Sequence, residues 1–508
     1  MDNRREFLKK TLGIPAALLL SNQLCAEAKQ HSNTRPNILW IITEDLSCDF
    51  GYQGQSLIKT PTVDKLAKEG AVFANAYVTA PICSPSRSAL ITGMYQTTIG
   101  AHHHVSSRGP VKIHLPPNIR LIPELFQEAG YYTCNCGYSG QSGVDYNQYG
   151  KADYNFEFCG NKELYNAPDW SGRKEGQPFF AQIQLRGGKL RDFASRSDWY
   201  EEVKAGIENP VNAGQVTLPP YYPDHSTFQQ DWAEYLNCVQ YTDKEVGIVL
   251  ARLKNEGLLD NTVIFFIADH GISSARGKGF LYEDGTHVPF IVWAPGKVKA
   301  QVRTDLIAHI DMAATSLYFA GIDIPAYMEA RPLFGPKAKP RNYVVSARDR
   351  FDETQDRIRS VRKGKLTYIR NFHPERPYLQ PNAYKDNKEI VKSLRQLYRE
   401  NRLNRDQSLL MADTRPQEEL YDRGKDPWEI HNLADDPTYQ KKLVELRDIL
   451  NEWIKQTGDK GQFQEPQEMY DCEMKIYVDY KKKHGDTEYA QDIERNISIT
   501  EQWRAEGK

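Results

Sequence analysis

The sequence predicts an α/β sandwich, with a large mixed, mainly parallel sheet between helices and a smaller C-terminal antiparallel sheet with a helix. Three observations carry this prediction. Ile38-Leu39-Trp40-Ile41-Ile42 and Val263-Ile264-Phe265-Phe266-Ile267-Ala268 are unbroken apolar runs, as expected of strands covered on both faces. Between them lie long stretches with apolar residues at helical spacing. Beyond about Pro340 the pattern changes to short strands joined by tight turns.

Taken in order, the chain opens with Arg4-Arg5-Glu6-Phe7-Leu8-Lys9-Lys10, a short apolar run from Leu12 to Leu20, and Ala26-Glu27-Ala28. Residues 1–28 therefore read as a removable, twin-arginine-like export signal, too short in its apolar part to span a bilayer. A periplasmic or secreted protein without a stable membrane span is expected. A first large unit, 35–340, begins with a strand that ends at Thr43-Glu44-Asp45. A helix from Thr60 to Glu69 follows, with Thr60 as N-cap and Pro61 at the first helical position. Ser84-Pro85 is read as a second such opening, which places Cys83 at a helix N-terminus. Further strands are predicted at Phe179 to Leu185 and Pro289 to Trp293, and a long helix from Gln230 to Glu256. The segment from Arg186 to Ser226 is rich in Gly, Pro and charge and reads as surface loops.

A second unit, 341–460, opens at Tyr343-Val344-Val345. A hairpin pairs Ile358–Arg362 with Leu366–Arg370 around Lys363-Gly364-Lys365. Glu419-Leu420-Tyr421-Asp422 and a helix from Tyr439 to Gln456 complete it. The remainder, 461–508, is polar, partly helical in pattern, and suggests no role of its own.

The 508 residues carry 65 Lys and Arg against 67 Asp and Glu, so no global basic field attracts nucleic acid. Apart from Cys25 and Cys83, the cysteines are scattered without a C-x-x-C spacing, which argues against a zinc site. The chemistry gathers instead at strand ends, where ligands bind in open α/β sheets. Glu44 and Asp45 end one apolar strand, and Asp269 and His270 end the other. Three carboxylates favour a hard divalent cation, Ca²⁺ before Mg²⁺. His270 fits less well, nitrogen being a poor Ca²⁺ ligand. At Cys83, free backbone donors and the helix dipole favour an anion, and Arg87 adds a fork suited to oxyanions.

The run Cys83-Ser84-Pro85-Ser86-Arg87-Ser88-Ala89-Leu90-Ile91-Thr92-Gly93 resembles the signature of the formylglycine-dependent sulfatases. Lys151-Ala152-Asp153-Tyr154-Asn155, Leu218-Pro219-Pro220-Tyr221-Tyr222-Pro223-Asp224 and Ser346-Ala347-Arg348-Asp349-Arg350-Phe351-Asp352-Glu353-Thr354 are similar to the branch of N-sulfoglucosamine sulfohydrolase and bacterial polysaccharide sulfatases such as ulvan-active ones. The resemblance covers roughly residues 36 to 460 and implies an alkaline-phosphatase-like sandwich. It implies that a formylglycine-generating maturation enzyme converts Cys83 to 3-oxoalanine, and that Glu44, Asp45, Asp269 and His270 hold one Ca²⁺. One hydroxyl of the hydrated aldehyde then attacks sulfur as the alcohol leaves, and the second hydroxyl expels sulfate and restores the aldehyde.

Arg87, Lys278 and Lys151 are the cations the resemblance assigns to the sulfate. Lys278 stands before Tyr282-Glu283-Asp284-Gly285, and Lys151 substitutes for a Gly-Lys-x-His stretch that here reads Gly137-Tyr138-Ser139-Gly140. A His-rich segment expected after the strand at Phe179 is also missing, with Arg186-Gly187-Gly188-Lys189 in its place. His104, with His102 and His103 beside it, is the nearest proton donor or substrate contact, and His287 is a further candidate. Arg348, Arg350 and Asp352 are either sugar contacts or part of a salt-bridged interface between the two units. The substrate implied is a sulfate ester or N-sulfate of a uronate-containing polysaccharide, ulvan or a glycosaminoglycan. Two alternatives are a phosphomonoester or phosphodiester hydrolase on the same scaffold and an inactive, sulfated-glycan-binding relative.

Overall fold

A computed structural model describes residues 35–138, 144–191 and 197–508. The export-signal region 1–28, and Ser139 and Gly140 of the altered stretch, lie outside the described residues. Among the described residues, twelve strands form two sheets: β1 Asn37–Thr43, β2 Ala71–Tyr77, β3 Tyr132–Tyr138, β4 Val144–Tyr149, β5 Phe179–Leu185, β6 Thr262–Ala268, β7 Phe290–Trp293, β8 Gln301–Ala308, β9 Val344–Arg348, β10 Ile358–Lys363, β11 Leu366–Asn371 and β12 Glu418–Asp422.

The large sheet runs β4-β3-β5-β1-β6-β7-β2-β8. Its centre, β3, β5, β1 and β6, is parallel, as is the β2–β8 pair, while β4 and β7 are antiparallel to their neighbours. Strands β1, β5 and β6 are buried along their whole length, which is why they read as continuous apolar runs. The registers Thr43↔Leu185 and Thr43↔Ala268 bring three carboxyl ends level at the sheet's centre. The smaller sheet, β12-β11-β10-β9, is antiparallel throughout, and Gly364 takes the positive φ of 57° that the hairpin requires.

The helices that matter here are α1 Pro61–Glu69, α2 Cys83–Thr92, α3 Ser197–Gly206, α4 Ser226–Asn255, α5 Gln440–Thr457, α6 Gln467–Lys483 and α7 Thr487–Ala505. Two readings change. Helix α2 starts at Cys83 itself with Ile82 as N-cap, so Pro85 is its third residue. Proline is harmless there, because the first intrahelical bond is Ser86 N to Ile82 O at 3.1 Å and earlier donors have no helical acceptor. Ser84 does not cap; its hydroxyl accepts from the Val105 N–H at 2.9 Å and ties down the segment that carries the three histidines. The stretch 186–226 is not all loop, since it holds a 3₁₀ turn at Gly187–Arg191 and helix α3. The tail folds as α6 and α7 against the rest of the chain: the Tyr470 hydroxyl donates to Glu353 O at 2.8 Å and Asn496 Nδ2 to Glu353 Oε1 at 2.8 Å. Among the described residues, no helix is long and apolar enough to cross a membrane.

Candidate active site

The site forms where the levelled ends of β5, β1 and β6 meet the N-terminus of α2. Glu44 and Asp45 continue β1, Asp269 and His270 continue β6, and the 3₁₀ turn after β5 brings in Lys189. All five, with Cys83, Arg87 and Lys278, share one buried cluster.

Cys83 Sγ lies 3.1 Å from His270 Nε2, 3.3 Å from Lys278 Nζ and 3.6 Å from Lys189 Nζ. The side chain is only 3% exposed, and burial alone would push its thiol pKa up. The positive charge of Lys151, Lys189, Lys278 and His270 outweighs burial and brings the thiol down to about 6. The position therefore favours negative charge at the Cys83 side chain.

Arg87, one turn into α2, is fixed on three sides. It donates to Asp269 Oδ2 at 3.1 Å, to Gln184 Oε1 of β5 at 2.6 Å and to Glu44 Oε1 at 3.1 Å. Lys151 pairs with Glu44 Oε1 at 3.2 Å and Asp153 Oδ2 at 3.1 Å. Lys189 pairs with Glu44 Oε2. These three cations hold the Glu44 carboxyl well below its usual range in spite of its burial. Lys278 pairs with Asp45 Oδ1 at 3.3 Å and lies over the Tyr384 ring, 4.9 Å from its centroid.

The donor set fits a cation. His270 Nδ1 lies 2.9 Å from Gly271 O; a carbonyl only accepts, so Nδ1 carries a proton and Nε2 faces the cluster. There Nε2 is 3.1 Å from Asp45 Oδ1 and 3.6 Å from Asp269 Oδ1. Asp45 Oδ2, fully buried, has no hydrogen-bond partner. Asp45 also takes a positive φ of 57°, a turn that aims its carboxylate back at β6. Converging carboxylate oxygens with one orphaned lone pair suit an oxygen-loving divalent ion.

The triple-histidine segment is clamped beside α2 by Asn155, whose Nδ2 donates to Ala101 O at 3.0 Å and His103 O at 2.7 Å, while its N–H donates to Ser88 Oγ at 2.8 Å. Its three rings take different surroundings. His104 Nδ1 sits 2.9 Å from Asp352 Oδ1, and its ring meets Phe351 edge-on at 5.3 Å. Phe351 in turn lies 5.7 Å from Tyr384, the ring that Lys278 covers. His102 is buried with both ring nitrogens unpartnered, and burial with the nearby Arg359 drives its pKa down to about 4. The His103 ring lies tilted against His102, with centroids 4.2 Å apart, and accepts from the Arg350 N–H at 3.4 Å.

Two further sequence candidates stand away from Cys83. His287 Nε2 faces Ala74 O at 3.0 Å, its Nδ1 pairs with Glu283 at 2.9 Å, and its ring stacks on Tyr77 at 5.0 Å. Arg348 pairs with Asp356, which also pairs with Arg415 at 2.6 Å. Their partners are carboxylates and backbone of the surrounding framework. Asp352, a candidate sugar contact in the sequence, stands beside His104, while Asn155, Gln184 and Lys189 were missed by sequence reasoning. Only Lys189 left a trace: Gly187-Gly188 follows an apolar strand directly, and a Cβ at Gly187 would meet Glu44 O at 2.3 Å.

A mixed sheet with a cation-ringed cysteine at its strand ends defines a hydrolase that handles an anionic ester. The family model for sulfatases matches residues 36–322. An ulvan-active sulfatase of Formosa agariphila is 35% identical over 469 residues, covering 85% of this chain and 76% of the relative. Human N-sulphoglucosamine sulphohydrolase is 26% identical over 503 residues, covering 88% and 94%. The solved structure of a 2-O glycosaminoglycan sulfatase superposes with a TM-score of 0.58 at 21% identity, covering 85% and 94%, and so shares the fold. The chain belongs to the sulfatase family, the sulfuric ester hydrolases.

Proposed function

We propose that this chain is an exported sulfatase that removes sulfate from a uronate-containing polysaccharide or its oligosaccharides, with Cys83 matured to formylglycine and one Ca²⁺ held by Glu44, Asp45, Asp269 and His270. The observation that carries this reading is Cys83 at the first position of α2 with Lys278, Lys189 and His270 all within 3.6 Å of its sulfur. Once Cys83 is matured, the hydrated aldehyde would supply an oxygen nucleophile that a serine could not replace, because its second hydroxyl would allow sulfate to be released; a cation held by Glu44, Asp45, Asp269 and His270 would supply Lewis-acid chemistry there.

The remaining work falls to the chain's own groups. Lys151, Lys189 and Lys278 surround the position of the sulfate oxygens and meet the charge that builds on them as the ester bond breaks. Arg87, locked on Glu44, Gln184 and Asp269, holds the carboxylates in place and adds to the positive field. The leaving alcohol needs a proton, and His104 is the group placed to give it. Asp352 stands 2.9 Å from its Nδ1, which leaves Nε2 for the ester oxygen. Burial, which keeps water from competing with these charges, strengthens each interaction.

For the substrate, support comes from the names of relatives: one acts on ulvan and another on N-sulphoglucosamine. Both are sulfated saccharides, and the position of cleavage is read best by experiment. Sulfate release from ulvan, heparan, chondroitin and fucoidan oligosaccharides, beside an aryl sulfate and an aryl phosphate, tests the proposal. Turnover of the aryl sulfate and one glycan, lost in Cys83→Ala, is expected. Phosphate release in place of sulfate release would overturn it.

A further inference from the structure

The tail and the second sheet enclose a cavity of about 380 Å³ that the proposed chemistry does not use. Its wall carries Arg350, Arg357, Arg376, Arg504 and His373, together with the rings of Phe372 and Phe463. Each of the three side-chain carboxylates on the same wall is ion-paired with an arginine, with Asp349 Oδ2 and Glu465 Oε1 left over. Asp349 accepts from Arg359 at 3.0 Å, Asp356 from Arg415 at 2.6 Å and Glu465 from Arg350 at 2.7 Å.

What remains is an excess of positive charge. Among the described residues Arg357 makes no ion pair; its guanidinium lies 3.8 Å from the centre of the Phe372 ring, and its Nε has no hydrogen-bond partner. Arg376 is 6% exposed and donates to Gln355 O and Lys508 O, while its Nε has no hydrogen-bond partner and stands 4.0 Å from Glu375 Oε1. Burial and neighbouring arginines pull both guanidinium groups below their ordinary pKa, although nearby carboxylates oppose the shift. Unsatisfied buried donors of this kind call for an acceptor. Phe463 supplies the second feature: a large ring, 67% exposed, beside the cations, presents an apolar face to whatever enters.

We propose that this cavity is a second saccharide subsite, in which Arg357 and Arg376 bind a sulfate or carboxylate group while Phe463 covers the apolar face of the sugar that bears it. An oxyanion accepts from guanidinium groups in the fork geometry that Arg provides. His103 lines the cavity and is followed directly by His104, so the subsite lies next to the segment proposed to serve the leaving group. The assignment rests on the polysaccharide reading above and names where a charged residue distant from the scissile sulfate would sit.

Arg357→Gln and Phe463→Ala test it, since neither position is fully buried. Steady-state kinetics are measured on a sulfated oligosaccharide that the wild type turns over and on a small aryl sulfate. Each variant is expected to raise KM for the oligosaccharide about 10-fold, the worth of one charge-assisted hydrogen bond or one ring contact, with aryl sulfate kinetics unchanged. Calorimetric titration with sodium sulfate and with the oligosaccharide separates the sources of the anion. Loss of sulfate binding in Arg357→Gln with an unchanged oligosaccharide KM would overturn the saccharide assignment, leaving a site for the free ion. Unchanged KM and unchanged binding in both variants would overturn the subsite altogether. An equal loss on the aryl sulfate would do the same, by showing that the cavity wall only supports the active site. If the wild type hydrolyses no sulfate ester, the polysaccharide reading fails, and titration of the oligosaccharide against Arg357→Gln still decides the subsite: weaker binding supports it and equal binding sinks it.

Discussion

Lys189 offers the sharpest test of how the site is built. In protein produced where Cys83 remains a thiol, and held in chelator, the thiol should titrate at about 6 instead of its ordinary 9.0. Burial opposes this shift, so it depends on Lys151, Lys189, Lys278 and His270. The Lys189 ammonium is 3.6 Å from the sulfur. At an effective dielectric of about 20, charges at that distance interact by roughly 4 to 5 kcal/mol, an upper bound of about three pKa units. Glu44, which Lys189 also pairs, cancels part of this from the other side, and the remaining cations relax toward the sulfur. A shift of about one to two units is therefore expected for Lys189→Met. Thiolate absorbance in the ultraviolet, followed with pH and corrected with Cys83→Ala, reads the value without needing a reagent to enter the site. A midpoint moving from near 6 to between 7 and 8 supports the arrangement, while an unchanged midpoint, or a wild-type midpoint near 9, refutes it.

Three other outcomes are expected. Glu353 is fully buried, and burial with neighbouring Asp352 raises its pKa from 4.5 to about 8. The folded state thus keeps a proton that the unfolded chain releases, so the stability it contributes is complete below about pH 4.5 and is lost as pH rises through 8, by about 4 to 5 kcal/mol in all. Denaturant unfolding at pH 6 and pH 9 should show about 3 kcal/mol of that fall in the wild type and a flatter dependence in Glu353→Gln; equal slopes would exclude it. His104→Ala should cut kcat on a sugar sulfate by about 10² to 10⁴-fold and spare an aryl sulfate, whose phenolate leaves without help. Asp352→Asn should follow the same pattern more weakly, and equal losses on both substrates would remove His104 from proton transfer. Cys83→Ala should lower sulfate release by at least about 10³-fold with the fold intact by circular dichroism, and residual turnover near wild type would rule out the nucleophile.

Much of this was legible in the sequence, for identifiable reasons. Strands β1 and β6 announce themselves because both faces are covered, and a register that pairs Thr43 with Ala268 turns two distant acidic motifs into neighbours. The cysteine helix was legible too, although its start was placed a residue or two late, because proline is tolerated anywhere in the first turn. What escaped depends on tertiary approach. Lys189 sits in a segment whose composition reads as loop, yet Gly187, at φ 52°, lets the backbone press against Glu44 and deliver the ammonium. The pairing of β2 with β8 spans more than two hundred residues and leaves no local pattern. Arg348 and His287 drew attention as charged residues in distinctive motifs, and both are absorbed in ion pairs of the framework. The tail, silent in composition, supplies Phe463, Glu465 and Arg504 to a cavity wall.

The most direct test is the mass of the peptide that contains Cys83, taken from active protein made in a host able to mature it. The account predicts a mass in which the side-chain CH₂–SH has become an aldehyde, together with sulfate release that rises with the modified fraction. Full activity in material whose Cys83 still carries its sulfur would contradict it.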